Sequence, residues 1–306
     1  MRAFCNRTIR RLVSVQPSPT TKEVQVLSDL HLEVGQQYSA FTFPTTAPFL
    51  LLGGDIGRLV DYDGYLHFLA AHAGRYKKVF LVLGNHEFYG LNYDAGVAAA
   101  RRLAAEPILA DRLVLLHRAR WDDPDSDLTI LGCTLWSAIP REAYGIVEHK
   151  VKDYKHIRGW SADRHNALHA SEAAWLRGQI AQVSSSSPRP DQDRHQDGGS
   201  GRRLMVATHH APSIRGTSRP EHSGSPWTCA FATDLAARDG WQSVRVWVFG
   251  HTHYSTDWMC NGTRLVANQR GYVLPGSTAE GREGARGEAN DAGNAHLFDE
   301  TLAIAI

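Results

Sequence analysis

The sequence predicts an α/β fold in which strands buried on both faces alternate with helices, and three observations carry that prediction. Short apolar runs recur at Val24–Leu27, Phe49–Leu52, Val79–Leu83, Leu113–Leu116, Leu128–Leu135, Leu204–Ala207 and Val244–Phe249. Runs of this length without polar alternation are the pattern of strands covered on both sides. Between several of them lie segments with helical spacing, Tyr65–Ala73, Ala95–Ala105 and Asp163–Val183, the last with Leu168, Trp175, Leu176 and Ile180 as its apolar positions. Strand and helix in alternation imply layers of helix on sheet. The third observation is size and composition: 306 residues, 42% apolar and 21% charged, make a globular chain. A compact chain of this size buries roughly three quarters of its unfolded surface, so the core requires neither disulfides nor a structural metal.

Residues 1–20 stand apart. Arg2, Arg7, Arg10 and Arg11 precede the first acid, Glu23, among Ser and Thr residues. That composition fits an organelle transit peptide, or a short extension in which Arg10–Val15 adds an edge strand. Residues 21–306 read as a single domain, with no internal repeat and no linker between two cores. Ser184–Arg203 has no apolar anchor and predicts a mobile surface loop with a solvated His195. Gly276–Gly293 is a second insert, Gly-rich and charged, and Leu302–Ile306 is apolar enough for a closing strand. Thr228–Arg238 and Arg264–Ala267 look more irregular, which favours a mixed sheet or a two-sheet sandwich over a purely parallel sheet.

Lys plus Arg number 33 against 32 Asp plus Glu, a net charge of +1, which argues against a basic nucleic-acid binder. Cys5, Cys133, Cys229 and Cys260 are far apart with no C-x-x-C pair, so neither a zinc ribbon nor a disulfide scaffold is indicated. No stretch approaches the roughly 18 apolar residues of a membrane span, and no membrane partner is expected. A reducing, cytoplasmic location is the expectation, or a mitochondrial one if the basic start is a transit peptide.

Five of the apolar runs end in residues that bind metals or move protons. Val24–Leu27 leads into Ser28-Asp29-Leu30-His31, Phe49–Leu52 into Gly53-Gly54-Asp55-Ile56-Gly57, and Val79–Leu83 into Gly84-Asn85-His86-Glu87. Leu204–Ala207 leads into Thr208-His209-His210, and Val244–Phe249 into Gly250-His251-Thr252-His253. Ligands of open α/β sheets bind at the carboxyl edge, so one site is predicted to collect these side chains.

In an extended segment residues two apart share a face, so Asp29 and His31 can reach one metal while Leu30 and Leu32 turn to the core. His251 and His253 have the same spacing and no cysteine nearby, which reads as imidazole ligands in a mixed nitrogen and oxygen site. Gly53 and Gly54 let the backbone approach an ion beside Asp55. Gly84-Asn85-His86-Glu87 is the most specific signal: chance yields that tetrad in roughly one chain in five hundred of this length, whereas a D-x-H arises about once per chain. Asn85 and His86 are adjacent and point apart. One can hold a metal through its amide oxygen while the other faces substrate as a proton donor.

Taken in order over residues 29–253, the D-x-H, the Gly54-Asp55 block, the G-N-H-E, the His after a strand and the G-H-x-H resemble the blocks of the calcineurin-like metallophosphoesterase superfamily. Lys152-Asp153-Tyr154-Lys155 and Ala267–Tyr272 resemble stretches of its bacterial and fungal members. The resemblance implies a four-layer α/β sandwich, two mixed sheets packed together with helices outside, and a binuclear centre at its edge. It implies that Asp29, His31 and His253 hold one metal and Asn85, His209 and His251 the second, with Asp55 bridging. His86 would protonate the leaving oxygen, and His210 would support the centre or face substrate. Such a pair, about 3.5 to 4 Å apart, suits phosphoester cleavage because it makes a nucleophilic hydroxide near neutral pH. Ligands without thiolate favour Mn, Fe or Zn.

One departure matters. The branch that dephosphorylates protein Ser and Thr carries G-D-x-x-D-R-G, whereas Asp55 is followed here by Ile56-Gly57-Arg58. Arg at this position argues against a dedicated protein phosphatase and leaves the partner of His86 unassigned. Arg58 reads either as a bidentate phosphate contact or as a solvated Arg at a helix start. Charge alone adds Arg141, Lys155, Arg215 and Arg270 as candidate substrate contacts. The expected activity is hydrolysis of a small phosphomonoester or phosphodiester. The alternatives are a non-catalytic interaction protein on the same fold, as in a scaffolding subunit of the retromer coat that lacks the G-N-H-E His, and a hydrolase or lyase acting on a non-phosphate bond.

Overall fold

The computed structural model describes residues 21–109, 111–185, 201–222, 224–274, 294–295 and 297–306. The basic segment 1–20 lies outside the described residues, as do 186–200 of the first polar insert and 275–293 of the second. The strands are β1 (Glu23–Leu27), β2 (Phe49–Leu52), β3 (Lys78–Leu81), β4 (Leu113–Leu115), β5 (Ala119–Asp122), β6 (Leu128–Cys133), β7 (Arg203–Thr208), β8 (Val244–Phe249), β9 (Thr256–Cys260), β10 (Thr263–Ala267), β11 (Asn294–Ala295) and β12 (Ala303–Ala305). The helices are α1 (Tyr62–Ala73), α2 (Tyr93–Ala104), α3 (Tyr144–Lys150), α4 (Asp153–His156) and α5 (Ala162–Ser185).

Two mixed sheets result. The first has the order β12-β1-β2-β3-β4, parallel except for β12. The second has the order β11-β9-β10-β8-β7-β6-β5, with β10, β8, β7 and β6 parallel. The two-residue period of a strand builds the layers. Val24, Val26, Phe49, Leu51 and Phe80 face Ile130, Met205, Val246, Val248 and Val266 of the other sheet. The intervening Leu27, Leu50, Leu52, Val79 and Leu81 pack under Tyr65, Phe68 and Leu69 of α1 and Val97 and Leu103 of α2. On the far side Leu131, Leu204, Val206, Trp247 and Leu265 meet Ala173, Leu176 and Ile180 of α5. Each such side chain contributes about 1.5–3 kcal/mol by leaving water. The outcome is four layers, helix, sheet, sheet, helix.

Two expectations are corrected. Arg264–Ala267 is regular: it lies within β10, paired parallel to β8 and antiparallel to β9. Its hairpin turns at Asn261 (φ 47°) and Gly262 (φ 85°), two left-handed residues of the kind that match the twist of paired strands. The first polar insert is shorter than its composition suggests. Ser184 and Ser185 finish α5, while Arg202 donates to the Leu128 carbonyl and Arg203 to Asp127.

The parallel strands β1, β2, β3, β7 and β8 deliver their carboxyl ends to one edge, where the sheets are stitched together. Ser28 N–H donates to the Asn268 carbonyl at 3.0 Å, and Arg270 and Gly271 donate back to Ser28 and Asp29 at 3.1 and 3.0 Å.

Helix α5 also turns polar side chains inward, burying His165, His169 and Glu172. Glu172 accepts from the Leu135 N–H at 2.6 Å, and its other oxygen has no partner among the described residues. Burial pushes this carboxyl up to about 8. A folded value above the unfolded one favours folding at low pH, and that contribution is lost as pH climbs through about 8. Glu172→Gln keeps the acceptor and cannot ionise. Its stability relative to wild type should therefore rise between pH 6 and pH 9, by on the order of 1–3 kcal/mol. Chemical denaturation across that range is the measurement, and a flat difference would show that the ionised carboxylate is tolerated in the fold.

Candidate metal centre

The residues at the strand ends do not sit in extended chain, as their spacing predicted. Asp29, His31, Asp55, His251 and His253 lie past the strands in left-handed backbone, with φ of 52°, 48°, 52°, 72° and 50°. Each such residue costs of order 1–3 kcal/mol and persists because its surroundings hold it. Here neighbouring loops bond one another: Asp29 N–H donates to the Gly54 carbonyl, His31 N–H to Asp55, and Gly250 N–H to His209, at 2.9–3.0 Å. Leu30 and Leu32 are fully buried, as expected. Gly84 is required by contact, since a Cβ there would run into the Asp55 carboxylate. Gly54 is required twice over, by φ of +92° and by the His209 ring against it.

Beneath the loops lies Glu87, the last residue of the G-N-H-E block. Its carboxyl accepts from the N–H groups of Asp55, Ile56 and Gly84 at 2.9, 2.9 and 2.7 Å and from the Tyr65 hydroxyl at 2.9 Å. Burial, then the Asp55 charge, pushes Glu87 up to about 7.

Two groups of side chains converge above it. Asp29, His31 and His253 bring ligand atoms within 4.8 Å of one another, and so do Asp55, His209 and His251. In the first, the Nε2 atoms of His31 and His253 lie 2.9 Å apart and His253 Nε2 is 3.6 Å from Asp29 Oδ1. Asp55 faces both groups: Oδ2 is 3.8 Å from His31 Nε2 and Oδ1 is 3.4 Å from His209 Nε2. Asn85 Oδ1 lies 3.1 Å from the same His209 nitrogen. Its amide is oriented from behind, where Nδ2 donates to Asp153 Oδ1 at 2.7 Å. The Gly53 carbonyl accepts a hydrogen bond from His209 Nδ1–H at 2.9 Å, turning Nε2 toward the centre.

The charges respond to one another. Burial opposes ionisation of Asp55, yet His209 and His86 hold it well below the usual carboxylate range. Against burial, Asp55 and Asp29 hold His209 up to about 10. Burial, then the charge of His209, keeps His251 neutral, and burial with His31 does the same for His253.

The partner of His86, unassigned from sequence, is Glu33. Its Oε1 is 2.8 Å from His86 Nδ1 and 3.2 Å from His31 Nδ1, so one carboxylate orients two rings. These contacts outweigh burial and bring Glu33 down to about 2. His86 Nε2 faces Asp55 Oδ2 at 3.9 Å and meets the Tyr272 hydroxyl at 3.0 Å. Asp55 and Glu33 overcome burial and raise His86 above its ordinary value. The signal for Glu33 was present, two residues after His31, but nothing in the spacing ties position 33 to position 86.

The two proposed substrate contacts lie elsewhere. Arg58 forms a fork with Asp61, Nε to Oδ2 at 3.0 Å and Nη2 to Oδ1 at 3.1 Å, and does not line the cavity above the centre. A carboxylate three residues along the chain outcompetes solvent for its guanidinium. His210 is fully buried behind the centre, its ring stacked 4.0 Å from that of His251 and its nitrogens without partners among the described residues. Arg141, Lys155, Arg215 and Arg270 do not line the cavity either, and Arg270 is held by the Leu30 carbonyl, Gln37 and the Phe41 ring. The basic residues on its wall are Lys150, Lys152 and Arg219.

These side chains suit divalent cations. His251 Nε2 is buried with no hydrogen-bond partner among the described residues, so its lone pair is open to a metal. The donors are imidazole nitrogen, carboxylate and amide oxygen with no thiolate, a set suited to Mn, Fe or Zn.

A four-layer sandwich with histidine and aspartate groups converging at its sheet edge is the architecture of a metallophosphoesterase. The chain belongs to the calcineurin-like phosphoesterase family, whose sequence profile matches residues 24–255. It is 27% identical over 271 residues to the uncharacterized protein L509 of Acanthamoeba polyphaga mimivirus, spanning 81% of this chain and 91% of that one. Its fold is similar to phosphopantetheinyl hydrolase (PptH) from Mycobacterium tuberculosis, with a TM-score of 0.54 and 18% identity over 83% of this chain and 91% of that one. A dimetal phosphatase from Danio rerio aligns with a TM-score of 0.45 and 13% identity, covering 82% of this chain and 88% of that one.

Two substitutions test the centre. Asp55→Asn should lower metal binding at both groups of side chains, since its two oxygens face the two; elemental analysis showing unchanged metal content would remove Asp55 from the ligands. Asp153→Ala frees the Asn85 amide to rotate and should weaken metal affinity about 10–100-fold, the usual effect of removing a group that orients a ligand. Calorimetric titration with Mn measures it.

Proposed function

We propose that the protein is a hydrolase of small phosphomonoesters or phosphodiesters using two divalent cations. Asp29, His31 and His253 would hold one, Asn85, His209 and His251 the other, and Asp55 both. The observation that carries this reading is the Asp55 carboxylate lying between the two imidazole groups, on the floor of a cavity that also exposes His86. Bound there, the cations would supply Lewis-acid polarisation of the phosphoryl oxygens and a more acidic water.

The chain's own residues supply orientation and the proton. Glu33 fixes the His86 ring through Nδ1, which leaves Nε2 as the atom that donates to the leaving oxygen. The Tyr272 hydroxyl, 3.0 Å from that nitrogen, marks a position where an oxygen lies within hydrogen-bond reach of it. As the water oxygen bonds to phosphorus, the ester P–O bond breaks and the departing oxygen takes the His86 proton. Glu33 thus supplies the orienting carboxylate that Arg58 cannot. His86 held between Glu33 and Asp55 favours a hydrolase over a non-catalytic interaction protein, because a purely structural site has no use for a poised proton donor.

Turnover of an aryl phosphate should require Mn, Fe or Zn, stop on chelation and return when metal is restored. Turnover that survives chelation in metal-free protein would end the reading. His86→Ala should retain both metals and slow esters with poor leaving groups by about 10²–10⁴, the range for positioned proton transfer. Aryl esters, which leave as stabilised phenolates, should lose far less. Equal losses on both would remove His86 from the acid role.

A further inference from the structure

We infer that the site takes a phosphoester whose leaving group carries both a flat ring and a second negative charge, as a nucleoside bisphosphate does. The inference rests on the hydrolase reading above and adds the identity of the leaving group.

The cavity over the centre has a volume of about 510 Å³, within the roughly 300–1,000 Å³ of small-ligand sites. Its floor would take one phosphoryl group, and most of its wall is left for the rest of the molecule. Aromatic rings line that wall on two sides. Phe231 stacks on His251 with centroids 4.8 Å apart, and Tyr272 lies 4.8 Å from His253. Farther along the Phe231 side stands the half-buried indole of Trp227, packed with Val151 in a separate apolar cluster.

Two lysines accompany the rings. Lys150 Nζ is 6.0 Å from the Trp227 centroid and Lys152 Nζ is 5.5 Å from that of Tyr272. Val151 between them is buried, which anchors the segment and leaves both ammonium groups at the rim. Neither lysine has an ion pair among the described residues. Outside the centre itself, the only carboxylate on the described wall is Asp153, whose Oδ1 is already taken by Asn85 and Tyr89. With a net charge of only +1 for the whole chain, this positive rim is local. A flat ring matches the aromatic lining in chemistry, and a second anion matches the two lysines beside it.

Hydrolysis of such a monoester transfers phosphorus to the water oxygen and releases an alcohol that keeps both its ring and its second phosphate. The probes are adenosine 3′,5′-bisphosphate, adenosine 5′-monophosphate and ribose 5-phosphate, with Mn-loaded protein. Kinetics measures kcat/KM, and calorimetry measures binding of the non-hydrolysable phosphonate analogue of each. Each added feature, ring and then second phosphate, should raise kcat/KM and affinity by ten-fold or more. The double variant Lys150→Ala, Lys152→Ala should reduce the second-phosphate ratio below three-fold, and Trp227→Ala should do the same to the ring ratio. Trp227→Leu keeps the apolar packing and removes the flat face, so the same loss there excludes local unfolding. Ratios near one, or ratios that the variants leave unmoved, would overturn the inference. Cleavage of all three esters at equal efficiency would sink it while sparing the hydrolase reading. Selective binding without cleavage of any ester would overturn the hydrolase reading and the leaving-group assignment with it.

Discussion

The sheet edge depends on a single electrostatic constraint: the buried carboxylate of Asp55 has to be matched by positive charge. An ionised carboxylate out of water costs several kcal/mol unless it is paired and hydrogen-bonded. Asp55 is met on every side, by the His86 N–H at 2.8 Å and by ring nitrogens of His209, His31 and His86 at 3.4, 3.8 and 3.9 Å. Asp29 accepts from the Ser28 hydroxyl and the His251 N–H, but there burial outweighs the nearby His209 charge and pushes the carboxyl up to about 6. Carboxylates that draw in imidazoles so strongly also attract divalent cations, which deliver more charge per ligand than protons do.

That arrangement is held from below by a second buried acid with a different task. Glu87 gathers three backbone N–H groups from two loops and the Tyr65 hydroxyl of α1. It acts by accepting hydrogen bonds. The loops it ties together carry Asp55 and Asn85, so the Glu of the G-N-H-E block acts on the centre through the backbone. The left-handed residues of the centre are sustained by this crosslinking together with the bonds between the sheets. Rigid loops at a sheet edge hold ligands more tightly in place than a free loop could.

Glu33 shows how one side chain sets two functions. By accepting from Nδ1 of both His31 and His86 it turns Nε2 of a proposed metal ligand and of a proposed proton donor toward the same oxygen, Asp55 Oδ2. Coupling of this kind means that the geometry of binding and of proton transfer cannot be altered separately at position 33. Lys150, Lys152, Trp227 and Phe231 of the wall come from other segments, 147–152 and 225–231, whose apolar residues pack as their own cluster, whereas Tyr272 lies against the histidines of the centre. Phe231 and Tyr272 join the two parts, the first stacked on His251 and the second set against His253 and His86.

Much of the fold was legible in the sequence because it is written in local periods. Alternate residues of Val24–Leu27 and Phe49–Leu52 go to opposite faces, and that alone requires a layer on each side. The residue types at the strand ends were legible for the same reason, since each block is contiguous. Asn261-Gly262 is a hairpin signal of the same local kind, although Arg264 interrupts the apolar run that follows it. The pairing of Glu33 with His86, the fork of Arg58 with Asp61, the burial of His210 and the lysine rim were not legible. They depend on which strands become neighbours, and the order β10-β8-β7 and β1-β2-β3 brings together residues as distant as His31 and His253, 222 positions apart. The sequence by itself determined the layers and the chemistry offered at the edge. Only the tertiary structure decided which groups meet, because contact between strand ends is a property of sheet order that no local spacing carries.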